Sequence, residues 1–316
     1  MNEFELIERL KKQLPTNEAV KVGAGDDCAV LELGIPDRYL LFKTDAVVEG
    51  VHFLPETDPE RVGHKALARC LSDIAAMGGD ATAALVTLAL PLNFDVDWVE
   101  KLYVGMSRLA QQHNVSIAGG ETTTNPAGKL ISIALIGTVP KKACIERSGA
   151  RAGDAIFVTG ELGGSMRGKH IEFQPRLKQG RWLAGKFSVH AMIDLSDGLA
   201  GDLRHVLRAS NVGAELLSDA IPISKAARLQ AREESSSKPP LFAALTDGED
   251  FELLFTVPAR EAVPLLDAWK KEFPNLRLTC IGKIVRGSGL KLRDKQGVKE
   301  LNVAGYTHFD KPSGSS

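Results

Sequence analysis

The segment VHAMIDLSDGLA (residues 189–200) predicts a buried strand, an acidic turn and the start of a helix in direct succession. Residues 189–193 form an apolar run of strand length, and the apolar residues of 199–207 recur at helical spacing. The turn between them, Asp194–Gly198, combines carboxylates with a glycine. Because strand, polar glycine turn and helix form the repeating unit of proteins that mix helices with sheets, this segment indicates the fold class.

The same alternation extends through both halves of the chain. The first half has predicted helices at 2–14, 60–77 and about 97–114 and predicted strands at 29–31, 39–42, 83–90, 115–118 and 130–139. The second half has predicted strands at 156–159, 189–193, 251–257 and 276–285 and predicted helices at 199–207 and 261–273. At roughly 100–200 residues per domain, this length fits two domains. We predict an α/β fold (mixed α+β) with domains 1–140 and 141–316, divided at the break that follows Pro140.

Charge and composition exclude several classes of protein. Thirty-nine Lys and Arg residues balance 40 Asp and Glu residues, which leaves no basic surplus for nucleic acid or an anionic membrane. No apolar run approaches the ~18 residues of a membrane-spanning helix, and the start of the chain is acidic, unlike a signal peptide. The four cysteines are far apart in sequence, which argues against a zinc site or a disulfide framework. We expect a cytoplasmic protein without nucleic-acid or membrane partners.

Six groups of acidic residues stand beside glycines or at the ends of predicted elements. They are Gly25-Asp26-Asp27, Thr44-Asp45, Ser72-Asp73, Gly119-Gly120-Glu121, Asp194–Gly198 and Asp247–Asp250. A pocket that gathered these carboxylates would be repulsive unless it held cations, and oxygen-only ligands suit Mg²⁺. Mg²⁺ bound in this way commonly shares the phosphate oxygens of a nucleotide. Ordinary turn and helix-cap chemistry is the alternative for each group taken alone.

Two further motifs have competing interpretations. Gly163–Lys169 matches the GxxxxGK phosphate loop, but His170 follows where a hydroxyl ligand for Mg²⁺ is required, so a glycine-rich connection is favoured. His52 and His64 are candidate general bases, although a single histidine is more often structural.

In this order, the acidic groups resemble those of the thiamine-monophosphate kinase family. The resemblance covers nearly the whole chain and includes Gly25–Val30, Thr44–Phe53, Leu71–Gly78, Gly119–Thr122, Arg147–Gly149, Ile193–Leu199, Gly248–Leu253 and Gly305–Phe309. It implies the two-domain fold of the aminoimidazole-ribonucleotide synthetase-like superfamily, with an N-terminal domain that binds ATP and forms a homodimer. The implied reaction is ATP-dependent phosphorylation of thiamine monophosphate to thiamine diphosphate by direct, Mg²⁺-assisted in-line transfer.

The resemblance also implies a role for individual residues. The implied magnesium ligands are Asp27, Thr44, Asp45, Asp73, Glu121, Asp194 and Asp197. The implied contacts to ATP are Gly120, Glu121, Arg147 and Ser196, and those to the acceptor are His52, Glu249 and Tyr306. Asp45, Asp73 and Arg147 receive the catalytic role. Several Mg²⁺ ions are expected, and a requirement for a monovalent cation is left open.

Four departures from the family pattern are visible, one of which is Cys70, which stands where asparagine is usual before Ser72-Asp73. Glu121 stands where the family usually has aspartate, and Lys43 stands where a small polar residue is common, which places a cation beside the expected metals. The segment 164–184 is shorter than in the family. Two alternatives therefore stay open: another ATP-dependent enzyme of the same superfamily, or a nucleotide-binding relative without catalytic activity.

Overall fold

The computed structural model describes residues 3–233, 238–303 and 305–306. Within these ranges the strands form one six-stranded and one seven-stranded mixed sheet, with helices packed against both. The predicted fold class is confirmed. Residues 307–309 of the carboxy-terminal motif Gly305–Phe309 lie outside the described residues. No helix in the described ranges is long and apolar enough to cross a membrane.

The first sheet is formed by residues 20–140. Its strands are β1 (Val20–Val22), β2 (Ala29–Leu31), β3 (Arg38–Val48), β4 (Asp80–Leu90), β5 (Ser116–Thr124) and β6 (Leu130–Pro140), and the helices of this half are α1 (Glu3–Lys11), α2 (Pro59–Ala76) and α3 (Val96–Gln112). The strand order is β1-β2-β3-β6-β4-β5, and within it only β4 and β5 pair in parallel. α2 crosses α3 so closely that a Cβ at Gly105 would lie 1.8 Å from the carbonyl oxygen of Glu60.

The two faces of the first sheet differ in cover. The face toward α2, here called the inner face, buries Leu41, Val86 and Ile133. The opposite, outer face exposes Phe42 and Leu85, at 45% and 51% of their surface. Because side chains alternate along each strand, Phe42, Leu85 and Ile136 share the outer face, where the described chain leaves all three exposed.

The second sheet is formed by residues 154–300. Its strands are β7 (Asp154–Thr159), β8 (Ala191–Asp194), β9 (Gly213–Leu217), β10 (Leu253–Pro258), β11 (Leu278–Val285), β12 (Leu290–Asp294) and β13 (Gly297–Glu300), and the helices are α4 (Lys169–Glu172), α5 (Leu177–Lys186), α6 (Leu199–Ser210), α7 (Lys225–Glu233), α8 (Pro240–Thr246) and α9 (Ala262–Glu272). The order is β13-β12-β9-β11-β7-β10-β8. Phe157 and Phe255 pack on the side of α2, whereas Ile193 and Leu254 pack on the side of α6.

Helix α2 joins the two halves of the molecule. It packs on β3 and β6 of the first sheet and on β8 and α5 of the second half, and most of its residues are buried. One hydrophobic core therefore runs from Ile133 in the first sheet to Phe157 in the second. Because this core has no gap between the two halves, it does not mark a domain boundary, and the division into two domains at 140/141 stays a prediction.

Two acidic groups differ from their predicted positions. Thr44-Asp45 and Gly119-Gly120-Glu121 were expected at strand ends, but they lie inside β3 and β5. β3 is longer than predicted because β6 pairs with it along its whole length. Pairing between strands that are distant in sequence thus extends β3 through a polar stretch that the local pattern assigns to a turn.

Candidate active site

Three buried carboxylates from different elements meet between the two sheets. Asp27 precedes β2, Asp73 lies near the end of α2, and Asp194 ends β8. One oxygen of each lies within 4.8 Å of the others. Burial, with the neighbouring carboxylates, raises the pKa of Asp194 to about 7 and that of Asp73 well above its ordinary value. We call these three residues the acid cluster.

Basic side chains surround the acid cluster. Arg147 Nη2 lies 2.6 Å from Asp27 Oδ1, and Lys43 Nζ lies 3.0 Å from Asp73 Oδ1. Lys43, singled out in the sequence as a departure, thus lies beside the predicted metal ligands as expected. Asp27 Oδ2 is buried and has no hydrogen-bond partner among the described residues. Since a buried carboxylate oxygen without a partner is costly, this atom is suited to bind a cation.

Asp45 connects the acid cluster with a neighbouring cleft. It lies on the inner face of the first sheet, with Oδ2 3.9 Å from Lys43 Nζ and Oδ1 3.6 Å from Arg69 Nη2. Arg69 Nη1 in turn lies 3.4 Å from Glu249 Oε1. Sequence reasoning missed Arg69, although Lys65, Arg69 and Asp73 follow at i, i+4 and i+8 on one helix face, which was the available signal.

The cleft has a volume of about 650 Å³ and lies between the two halves of the chain. His52 and Glu249 contribute to its wall, together with Tyr306, Ser196 and Asp197. The structure therefore brings the three predicted acceptor residues to one cavity, next to the acid cluster. Their assigned roles, and that of Ser196, stay predictions.

A second polar group adjoins the cleft at the start of α6. Asp197, Asp202 and His205 have one ligand atom each within 4.8 Å of one another. Asp202 Oδ2 accepts the Asp197 backbone N–H at 3.0 Å. Burial raises the pKa of Asp202 well above its ordinary value and, with nearby cations, lowers the pKa of His205 to about 4. Sequence reasoning missed Asp202 and His205, whose signal is their position on the helix that directly follows the Asp194–Gly198 turn.

Besides Asp45 at the rim and Asp197 in the second polar group, two predicted magnesium ligands lie farther from the acid cluster. Thr44 lies on the outer face of the first sheet, where its hydroxyl is 3.5 Å from that of Ser132. Glu121 is exposed on the edge strand β5. The pairing of β5 with β4, of β4 with β6 and of β6 with β3 places Glu121 in line with Ala46 on β3, the residue that follows Asp45. At the ~4.8 Å spacing of strands, three strand intervals separate Glu121 from Ala46 by about 14 Å. These two assignments stay predictions, and within one chain the acid cluster forms without them.

Gly120 has a structural reason to be glycine. A Cβ at this position would lie 1.7 Å from the carbonyl oxygen of Val86 on β4. Its role in the pairing of β4 with β5 is therefore independent of the predicted contact to ATP, which stays a prediction.

The GxxxxGK match is not a phosphate loop. Lys169 Nζ donates to the carbonyl oxygen of Glu161 at 2.8 Å and lies 3.0 Å from Glu252 Oε1. The charge of Lys169 is therefore paired with a carboxylate of the same chain. His64 Nε2 lies 2.7 Å from the carbonyl oxygen of Phe173, away from the cleft. The structural interpretation therefore applies to both residues.

Comparison with known proteins identifies the family. Family models of AIR synthase related protein match residues 25–139 (N-terminal domain) and 151–295 (C-terminal domain). The thiamine-monophosphate kinase of Rhodopirellula baltica is 41% identical over a 286-residue alignment, covering 88% of this chain and 87% of that protein. The chain belongs to the thiamine-monophosphate kinase family.

Two further relatives agree with this membership. The thiamine-monophosphate kinase of Escherichia coli K12 is 36% identical over a 335-residue alignment that covers 98% of this chain and 99% of that protein. The solved structure of AaThiL complexed with AMPPCP and TMP has a TM-score of 0.82 and 32% identity, covering 98% of this chain and 97% of that one. The family resemblance predicted from the motifs is confirmed, and the chain is an enzyme of this kinase family.

Proposed function

We propose that the protein transfers the γ-phosphoryl group of ATP directly to thiamine monophosphate, giving thiamine diphosphate. The observation that carries the proposal is the acid cluster, which adjoins a cleft containing His52, Glu249 and Tyr306. AaThiL, the related protein of known structure, was solved with AMPPCP and TMP. The cleft volume of about 650 Å³ falls within the usual range for small-molecule sites.

The acid cluster fits Mg²⁺. All three donors are carboxylates, as Mg²⁺ prefers, and Asp27 Oδ2 is a buried oxygen without a partner among the described residues. Asp27, Asp73 and Asp194 would hold the ion. When bound, it would neutralise phosphate charge and align the transferring group.

The side chains around the cluster suit a reaction between two anions. The nucleophile is an ionised phosphate oxygen of the acceptor, so the reaction needs no strong general base. Repulsion between the two phosphate groups is the main obstacle, and the charges of Lys43, Arg69 and Arg147 reduce it. Arg147, which pairs with Asp27, is assigned to the phosphates of ATP, and Asp45 lies between the cluster and the acceptor cleft.

Acceptor choice tests this proposal. With ATP and Mg²⁺, we expect turnover of thiamine monophosphate and a rate with thiamine that is lower by at least about a thousandfold, because a site built for a phosphate rejects an analogue lacking it. The measurement is thiamine diphosphate formed from each acceptor. Equal turnover of thiamine would contradict the proposal, and binding of ATP without turnover would support a non-catalytic relative.

We further propose a C₂ homodimer through the first sheet. The exposed apolar side chains of Phe42, Leu85 and Ile136 share its outer face, and large exposed apolar side chains grouped on one face favour an interface. A second copy on this face would bring Thr44 and Glu121 to the interface.

Glu121 supplies a separate test of the predicted ligand set. Glu121→Ala is expected to raise the Mg²⁺ concentration needed for half-maximal rate by about tenfold, as for loss of a supporting group at a metal. Glu121→Asp keeps a carboxylate and should have a smaller effect. Magnesium titrations of the two variants and the parent decide. If the alanine variant matches the parent, Glu121 is not a ligand.

A further inference from the structure

Lys65 is a fully buried cation that contacts two residues of the cleft wall, His52 and Glu249. Its side chain on α2 has 0% exposure. The ammonium group lies 2.7 Å from the carbonyl oxygen of His52, 2.7 Å from Glu249 Oε2 and 3.0 Å from His170 Nδ1. The carbonyl oxygen of His52 and Glu249 Oε2 accept from the ammonium group, whereas His170 Nδ1 faces both Lys65 and Glu249 and can form a hydrogen bond with only one of them at a time. Lys65 therefore ties together the two halves of the cleft wall, because His52 precedes α2 and Glu249 precedes β10.

Glu249 is held in one position by its neighbours. His170 Nδ1 lies 3.3 Å from Glu249 Oε2, and Arg69 Nη1 lies 3.4 Å from the other carboxylate oxygen, Oε1. Burial alone would raise the pKa of Glu249, but His170, Lys65 and Arg69 outweigh it and lower the pKa to about 2. The backbone of Glu249 has φ +61°, a left-handed conformation rare for non-glycine residues, and its N–H donates to the carbonyl oxygen of Ser196 at 2.7 Å.

His170 comes from the segment that is shorter than in the family. It lies in α4, and two basic residues of the same segment anchor it on the buried carboxylate of Glu252. Lys169 Nζ lies 3.0 Å from Glu252 Oε1, and Arg176 Nη2 lies 2.7 Å from the same oxygen. Because Glu252 and Glu249 belong to the same short stretch before β10, this anchoring sets His170 beside Glu249.

We propose that Lys65 and His170 are positioning residues for acceptor recognition. They hold the Glu249 carboxylate at the cleft, where it pairs with the cationic, N–H-bearing organic part of the acceptor. This inference rests on the proposed function. It assigns a role to the shortened segment, which places His170 beside the Glu249 carboxylate.

Variants of His170, and not of Lys65, test the inference. Lys65→Met would leave the partly buried Glu249 carboxylate with less counter-charge and is expected to impair folding. His170→Leu is expected to raise the KM for thiamine monophosphate by about tenfold, the loss typical of one hydrogen bond to a charged group. The KM for ATP should stay within about twofold of the parent value, because the proposed ATP contacts do not include Glu249. His170→Asn keeps a polar atom near the position of Nδ1 and should restore most of the acceptor affinity.

Two controls separate positioning from general packing. His64→Leu removes a contact to Phe173 in the same segment without touching Glu249, and the acceptor KM should not change. In a Glu249→Gln background, His170→Leu should add little, because the carboxylate that it positions is gone. Thermal unfolding of each variant reports whether the fold is kept.

The outcomes distinguish this inference from the proposed function. If the parent protein neither phosphorylates thiamine monophosphate nor is stabilised by it against thermal unfolding, the proposed function fails, and this inference fails with it. If the parent is active but His170→Leu leaves the acceptor KM unchanged, the inference alone is overturned. It is also overturned if His64→Leu has the same effect as His170→Leu, or if the effect of His170→Leu persists in full without the Glu249 carboxylate.

Discussion

Asp73→Asn is expected to lower kcat by about a hundredfold to a thousandfold, the range found when a charge-stabilising group is removed from an active site. Asp73 lies in the acid cluster with Asp27 and Asp194, and its Oδ1 is 3.0 Å from Lys43 Nζ. The amide keeps the shape of the side chain but removes the charge that would hold Mg²⁺. Asp45→Asn, at the rim of the cluster, should also remove most of the activity.

The measurement is kcat as a function of Mg²⁺ concentration, with thermal unfolding to show that the variants are folded. Asp154→Asn is a matched control, because Asp154 is similarly buried but pairs with His190, outside the acid cluster. This control should change stability without changing the magnesium dependence. Near-normal rates and an unchanged magnesium requirement in Asp73→Asn would show that the acid cluster does not serve the reaction.

Leu85→Glu is expected to convert the proposed homodimer to a monomer. Leu85 is half exposed on the outer face of the first sheet, on the strand that pairs with β5 and β6. Two-fold symmetry places the new charge in the interface twice, and burying an unpaired carboxylate is costly. The dissociation constant should rise by at least about a hundredfold, since each 1.4 kcal/mol is a factor of about ten.

Sedimentation or light scattering at micromolar concentration measures the change. Val263→Glu is the control, because Val263 is an exposed apolar residue on α9 in the other half of the chain. It should leave the mass unchanged. A monomeric parent protein at this concentration would contradict the proposed homodimer.

Local sequence patterns predicted most of the elements that surround the site. The helix around Leu67 and Leu71, and the strand that ends at Asp194, were both expected, because apolar spacing and glycine turns are local signals. The patterns failed at Thr44-Asp45 and at Gly119-Gly120-Glu121, where pairing with distant strands extends β3 and β5 through polar residues. A polar stretch inside a strand has no local signal that distinguishes it from a turn.

The basic residues of the site were the main omission. Lys65 and Arg69 were not predicted, because their spacing with Asp73 shows that they share a helix face but not that this face is buried. Burial is decided by what covers the helix, and here the second sheet and the 247–252 loop cover α2 on the face that carries both residues.

The sequence alone determined the chemistry of this protein: carboxylates beside glycines, in an order that resembles one kinase family. Only the tertiary structure decided which of them meet. Asp27, Asp73 and Asp194 come together because α2 packs between the two sheets, whereas Thr44 and Glu121 lie on the opposite face or at the far edge of the first sheet. The physical reason is that side-chain alternation and strand order assign each residue to a face, and both depend on pairing between segments far apart in the chain.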